Sequence, residues 1–93
     1  MTINLAGYIF PNSKASLVCH HVLDGSPILG YYHDEDGDVH FSCGHDHVDS
    51  DWLAIRMDRV LALYHDLESL PIVKIGEAAE RNNSGAKWEI LKP

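Results

Sequence analysis

Three things are scarce in this chain, and each scarcity excludes a class of protein. No apolar run exceeds "VLALY" at 60–64, far short of the roughly 20 residues that a membrane-crossing helix requires. Cysteine occurs only twice, too sparingly for a disulfide scaffold. Cys19 and Cys43 therefore read as free thiols, metal ligands or small core residues of a protein in a reducing compartment. Basic residues number 7 against 14 acidic ones, a net charge of −7 with histidine neutral. A field of that sign repels phosphate, which argues against nucleic acid and anionic membranes as partners and favours a basic protein. The opening "MTINLAGYIFPNSKASLV" carries no basic residue before its apolar part, so no secretory signal is read and a cytoplasmic location is expected.

What is present is the composition of an ordinary globular domain. Apolar residues make up 45% of 93 positions and charged residues 23%, enough for one core and one domain over residues 1–93. Residues 1–15 are either an edge strand or a loosely attached tail. No repeat or linker interrupts the rest.

From Ser16 the pattern is β-like: "SLVCHHVL", a turn at "DGSP", "ILGYYH", a turn at "DEDGD", then "VHFSC". Asp-Gly and Gly-Asp steps between such runs predict a three-stranded antiparallel meander over about residues 16–43. Pairing Leu23 with Ile28 and His33 with Val39 would gather Val18, His20, Val22, Leu29, Tyr31, Val39, Phe41 and Cys43 on a core face. Cys19, His21, Tyr32, His40 and Ser42 would lie opposite, with the two cysteines on opposite sides. Residues 52–58 fit two readings. Leu53, Met57, Val60, Leu61 and Tyr64 recur at helical spacing, while Leu53, Ile55 and Met57 also alternate as in a strand followed by a short helix at 66–70. Pro71 ends that element, "GEAAER" at 76–81 reads as a short helix and "AKWEIL" as a closing strand with Trp88 inward. The expected class is α+β: an antiparallel sheet, the meander plus one or two further strands, with one or two short helices on one face.

The stretch "CGHDHVDSD" at 43–51 concentrates the chemistry. Cys43, His45 and His47 are zinc-type donors at a spacing that lets a loop curl around one ion, and Cys19 with His20 or His21 offers a second cluster. Neither a C-x-x-C pair nor an H-E-x-x-H helix accompanies them. The competing reading is a hydrated loop after a core strand. Asp34, Asp36 and Asp38 begin like a calcium loop, but positions six and twelve hold Val39 and His45 in place of glycine and glutamate, so a hairpin turn explains them. No separated base and orienting group accompanies either thiol, so cysteine catalysis is not expected, nor is an enzyme of another kind. No cofactor is required by any motif; zinc is the one the donor set admits.

The acidic residues Asp34, Glu35, Asp36, Asp38, Asp46, Asp49 and Asp51, with Trp52 beside them, form the expected partner-binding surface. From Ser16 onward the order of Val22 before a turn, Gly30-Tyr31, an acidic turn at Asp36 to Asp38, Phe41 leading to Gly44, Val60-Leu61, Leu70-Pro71, Gly76 and Ala79-Glu80-Arg81 resembles a family of small bacterial domains assigned as immunity proteins of polymorphic toxin systems. The chain departs from that plan at "GDVH" and "GHDH". The resemblance implies an α+β fold and a non-enzymatic protein that binds and neutralises a cognate protein, a basic toxin on the charge argument. The alternative is a small zinc-type metal-binding protein built on Cys43, His45 and His47.

Overall fold

The computed structural model describes residues 1–44 and 51–91 and is α+β. A two-stranded sheet of β1 (Thr2–Leu5) and β2 (Tyr8–Pro11) precedes a six-stranded one. The larger sheet holds β3 (Ala15–Cys19), β4 (Gly30–His33), β5 (Val39–Ser42), β6 (Trp52–Arg56), β7 (Ala78–Glu80) and β8 (Glu89–Leu91), in the spatial order β6-β3-β5-β4-β7-β8. Helix α1 (His20–Leu23) follows β3, helix α2 (Met57–Leu63) follows β6, and a 3-10 helix (His65–Ser69) comes next. Val18, Tyr31, Val39 and Phe41 from the sheet pack with Met57, Val60 and Leu67 from the helices in one buried core. No helix among the described residues is long and apolar enough to cross a membrane.

Residues 1–15 are sewn to that core. Ala6 and Gly7, between the paired Leu5 and Tyr8, both have positive φ, 52° and 85°, the signs that a two-residue type I′ hairpin demands. A Cβ on Gly7 would stand 2.9 Å from Ile72. Leu5, Ala6 and Phe10 are buried, the Tyr8 ring meets His33 edge-on at 4.8 Å, and Val73 donates its N–H to the Ala6 carbonyl at 3.0 Å.

The α+β class agrees with the sequence pattern, whereas the connection within the sheet differs from a meander. β4 and β5 form the expected hairpin in the expected register, His33 opposite Val39. β3 does not pair with β4; it runs parallel to β5, with Val18 beside Phe41. The reason lies in "HHVL", which continues the β pattern in sequence yet coils into α1. There it buries Val22 and lets the N–H of Asp24 reach the His20 carbonyl at 3.0 Å. The Asp-Gly step then ends a helix instead of turning a hairpin, with Gly25 at φ 110°. Residues 52–56 are the strand of the two readings, antiparallel to β3, and the helical spacing of Met57, Val60 and Leu61 takes over immediately afterwards. "GEAAER" is not helical. Its Ala78–Glu80 segment is β7, because pairing to both β4 and β8 outweighs the helix propensity of alanine and glutamate.

Arg81, just past β7, is the main buried charge. Its Nε and Nη2 donate to the Ile28 carbonyl at 3.1 and 2.9 Å, Nη2 also meets the Asp66 carboxylate, and the guanidinium lies 4.2 Å from the Trp88 ring centroid. Trp88, expected inside, is half-buried for this reason, one face serving the cation.

The Tyr31 hydroxyl is buried with no hydrogen-bond partner among the described residues, and burial pushes its ionisation upward. A buried hydroxyl left without a partner costs about 1–3 kcal/mol. Tyr31→Phe should therefore raise the urea midpoint, stabilising the fold by about 1 kcal/mol; destabilisation of that size would mean that an internal water satisfies the hydroxyl.

Candidate metal centre

Among the described residues β3 and β5 are the one parallel pair in the six-stranded sheet, so their C-terminal ends lie side by side. Cys19 is the last residue of β3, and Cys43 follows Ser42, the last of β5. α1 starts directly after Cys19 and carries His21 in its opening turn. These three side chains converge: the two Sγ atoms and a ring nitrogen of His21 all lie within 4.8 Å of one another. The cysteines are 0% and 2% exposed and the Nδ1 atom of His21 is sealed from solvent.

Donors around a tetrahedral zinc sit about 3.5–3.8 Å apart, given bonds of about 2.3 Å to sulfur and 2.0 Å to nitrogen. The cluster thus needs a contraction of about 1.3 Å at most to close on an ion. Burial pushes the Cys19 thiol up, while backbone hydrogen bonds from Val22 and Cys43 pull the other way. A nucleophile requires a lowered thiol pKa. Here burial dominates and favours the protonated thiol, so a cation bound at this place would have to displace that proton, with the backbone donors supporting the thiolate. His20 braces the neighbourhood. Its Nε2 lies 3.1 Å from Asp51 Oδ1 and its Nδ1 3.5 Å from Asp24 Oδ2, and its ring lies 4.1 Å from that of His21, tilted by 34°.

Of the expected donors, Cys43 stands in this cluster, while His45 and His47 lie outside the described residues, as do Asp46 and Asp49. The cysteines, expected on opposite sides of the sheet, come together. Alternation governs paired positions only, and Cys43 stands beyond the last one, before Gly44 turns the chain at φ 86°. Cys19 and His21, weighed in sequence as a separate cluster, join Cys43 because β3 runs beside β5. The two-residue spacing of Cys19 and His21 was visible, but not the strand neighbour.

Tyr32 and His40, expected on the face opposite the core, pair across β4 and β5, and Leu17 rather than Cys19 lies beside His40 in β3. The Tyr32 hydroxyl donates to Glu80 Oε2 at 2.8 Å, and His40 Nδ1 pairs with Asp34 Oδ2 at 2.9 Å while its ring meets Trp52 edge-on at 5.4 Å. The acidic residues divide by position. Asp34, Glu35, Asp36 and Asp38 form the turn before β5, where Asp36 Oδ1 accepts the Asp38 N–H, and Asp51 and Trp52 stand by the far end of that strand.

Comparison of the chain with protein-family models, with curated proteins and with solved structures found no match to any of them.

Tyr32 is pushed up to about 12, first by burial and then by its hydrogen bond to Glu80. Its protonated form is the one that folding favours, so this contribution is complete below the ordinary value of 10 and is lost as pH rises through about 12. The denaturation midpoint of Tyr32→Phe, followed by circular dichroism, should accordingly fall less steeply than that of the wild type over this interval.

Proposed function

We propose that the protein binds one transition-metal ion, of the zinc type, through Cys19, His21 and Cys43. The observation that supports this reading is the gathering of two thiols and an imidazole within 4.8 Å at the ends of two adjacent parallel strands. Thiolate and imidazole together suit zinc, which is borderline-soft and imposes no geometry of its own. A bound ion would tie the ends of β3 and β5 to α1, so its binding energy would add to folding energy: about 2.7 kcal/mol at a free-metal concentration 100-fold above Kd.

Untagged protein should carry about one equivalent of zinc by elemental analysis, and its melting temperature should rise with added zinc. Cys19→Ser, Cys43→Ser and His21→Ala should each weaken binding at least tenfold in competition with a chromophoric chelator, in the range typical of lost ligands and their supports. Less than a tenth of an equivalent of any transition metal would end this reading. Loss of metal from the His45→Ala, His47→Ala double variant, with His21→Ala still loaded, would replace the ligand set by the one that sequence spacing suggests.

A second reading, binding of a basic protein of the kind that immunity proteins neutralise, is supported by the arrangement around Trp52. This half-buried indole stands beside His40, which lies 2.9 Å from the Asp34 carboxylate, on a chain of net charge −7. Such a complex should weaken as salt rises, because screening shortens from about 30 Å at 0.01 M to about 8 Å at 0.15 M. Trp52→Ala and Asp34→Asn should lower its affinity in calorimetric titration.

A further inference from the structure

A cleft of about 740 Å³ is lined by the 3-10 helix on one side and by the residues leading into β8 on the other. Cys19, His21 and Cys43 take no part in it. Its volume lies within the range of small-molecule sites. The indole on its wall is held in place from two directions. Trp88 Nε1 donates to Ser69 Oγ at 3.0 Å, Ser69 Oγ donates to the Asp66 carbonyl at 2.7 Å, and the Arg81 guanidinium lies over the ring. A ring fixed in advance loses little freedom when a ligand settles on it.

Arg81 is the group that points to a ligand. Its side chain is 1% exposed, and its Nε and Nη2 are committed to the Ile28 carbonyl and to Asp66. Nη1 makes no hydrogen bond among the described residues. The sealed side-chain atoms without a partner among those residues are His21 Nδ1 and Tyr31 Oη, so Nη1 keeps a path out of the interior. Asp66 and Trp88, the side chains around the guanidinium, line this cleft and not the smaller one beside Glu80 and Glu89. Arg81 therefore turns a buried nitrogen with two unused N–H donors toward the cleft. Glu68 and Lys87, both exposed on its walls, enter no ion pair or side-chain hydrogen bond among the described residues, not even with each other.

The charges around the cleft select the ligand. Arg81 and Lys87 stand against Asp66 and Glu68, two of each sign. A simple anion is repelled by a chain of net charge −7, and a simple cation leaves Nη1 unused beside two positive groups. A zwitterion engages all three free groups and meets no net repulsion. Pro71, Ala86 and Trp88 add half-buried apolar surface next to those charges, which suits an apolar body. We infer that this cleft binds a free amino acid with an apolar side chain. Its carboxylate accepts from Arg81 Nη1 and Lys87, its ammonium donates to Glu68, and its side chain lies against Trp88 and Pro71. The inference does not rest on metal binding.

Calorimetric titration of the full chain with L-phenylalanine should give a Kd below about 1 mM, with glycine, which has no apolar body, at least about tenfold weaker. Phenethylamine lacks the carboxylate and 3-phenylpropanoate lacks the ammonium, so each should bind at least about tenfold more weakly than phenylalanine. Lys87→Ala and Glu68→Gln change exposed side chains. Circular dichroism should keep the wild-type spectrum in both, while each weakens phenylalanine binding at least about fivefold. Lys14→Ala, outside the cleft, should leave the Kd unchanged. The Trp88 indole N–H resonance should shift as phenylalanine is added, which ties the binding to this cleft. Absence of heat and of a Trp88 shift up to about 10 mM phenylalanine would overturn the inference. So would phenethylamine or 3-phenylpropanoate binding as tightly as phenylalanine, or an affinity indifferent to both Lys87→Ala and Glu68→Gln.

Discussion

The parallel contact between β3 and β5 is the constraint from which the rest of this molecule follows. It buries Val18 and Phe41 completely, side by side at the centre of the sheet. At about 1.5–3 kcal/mol for each large apolar side chain, such burial is worth more than any single polar contact in the structure. Antiparallel strands would place the end of one beside the start of the other. Parallel ones place both C-terminal ends together, and that is where Cys19 and Cys43 stand. The chain must leave β3, cross and come back before β5, and the crossing supplies both α1, with His21, and the β4 hairpin.

That geometry also separates the chemistry of the molecule by depth. The sulfur and imidazole donors are drawn to the buried strand ends, where a charge is costly unless a cation shares it. The carboxylates remain at the rim, paired with imidazoles in His20–Asp51 and His40–Asp34 or with backbone in the β4–β5 turn. Surface pairs of this kind contribute little stability by themselves. Their effect is to orient the rings: His20 is held against His21, and His40 against Trp52. Arg81 is the exception, a buried cation satisfied by a carbonyl, a carboxylate and an indole, and it anchors the 3-10 helix to the end of β7.

Local patterns were legible where the physics is local. The hairpin of β4 and β5, its register and the positive φ of Gly37 follow from the "DEDGD" turn between alternating residues. Val18, Tyr31, Val39 and Phe41 were identifiable as core by the same alternation. Illegible was whether "HHVL" extends a strand or coils, since the energy difference resides in Val22 and in Tyr64. The Tyr64 hydroxyl, 42 residues from Val22, lies within hydrogen-bonding distance of the Val22 carbonyl. "GEAAER" misleads for a related reason, because its propensity is helical and its environment is a gap between β4 and β8. For the site, the donor types and the Cys19-x-His21 spacing could be read, but their union with Cys43 could not.

By itself, the amino-acid order determined an acidic α+β chain with few thiols and a hairpin at residues 30–42, and left 52–58 open between strand and helix, because composition and period-two alternation act over a few residues. Only the tertiary structure decided which strands are neighbours. That choice depends on burying residues far apart in the chain against one another, and with it came the meeting of Cys19, His21 and Cys43.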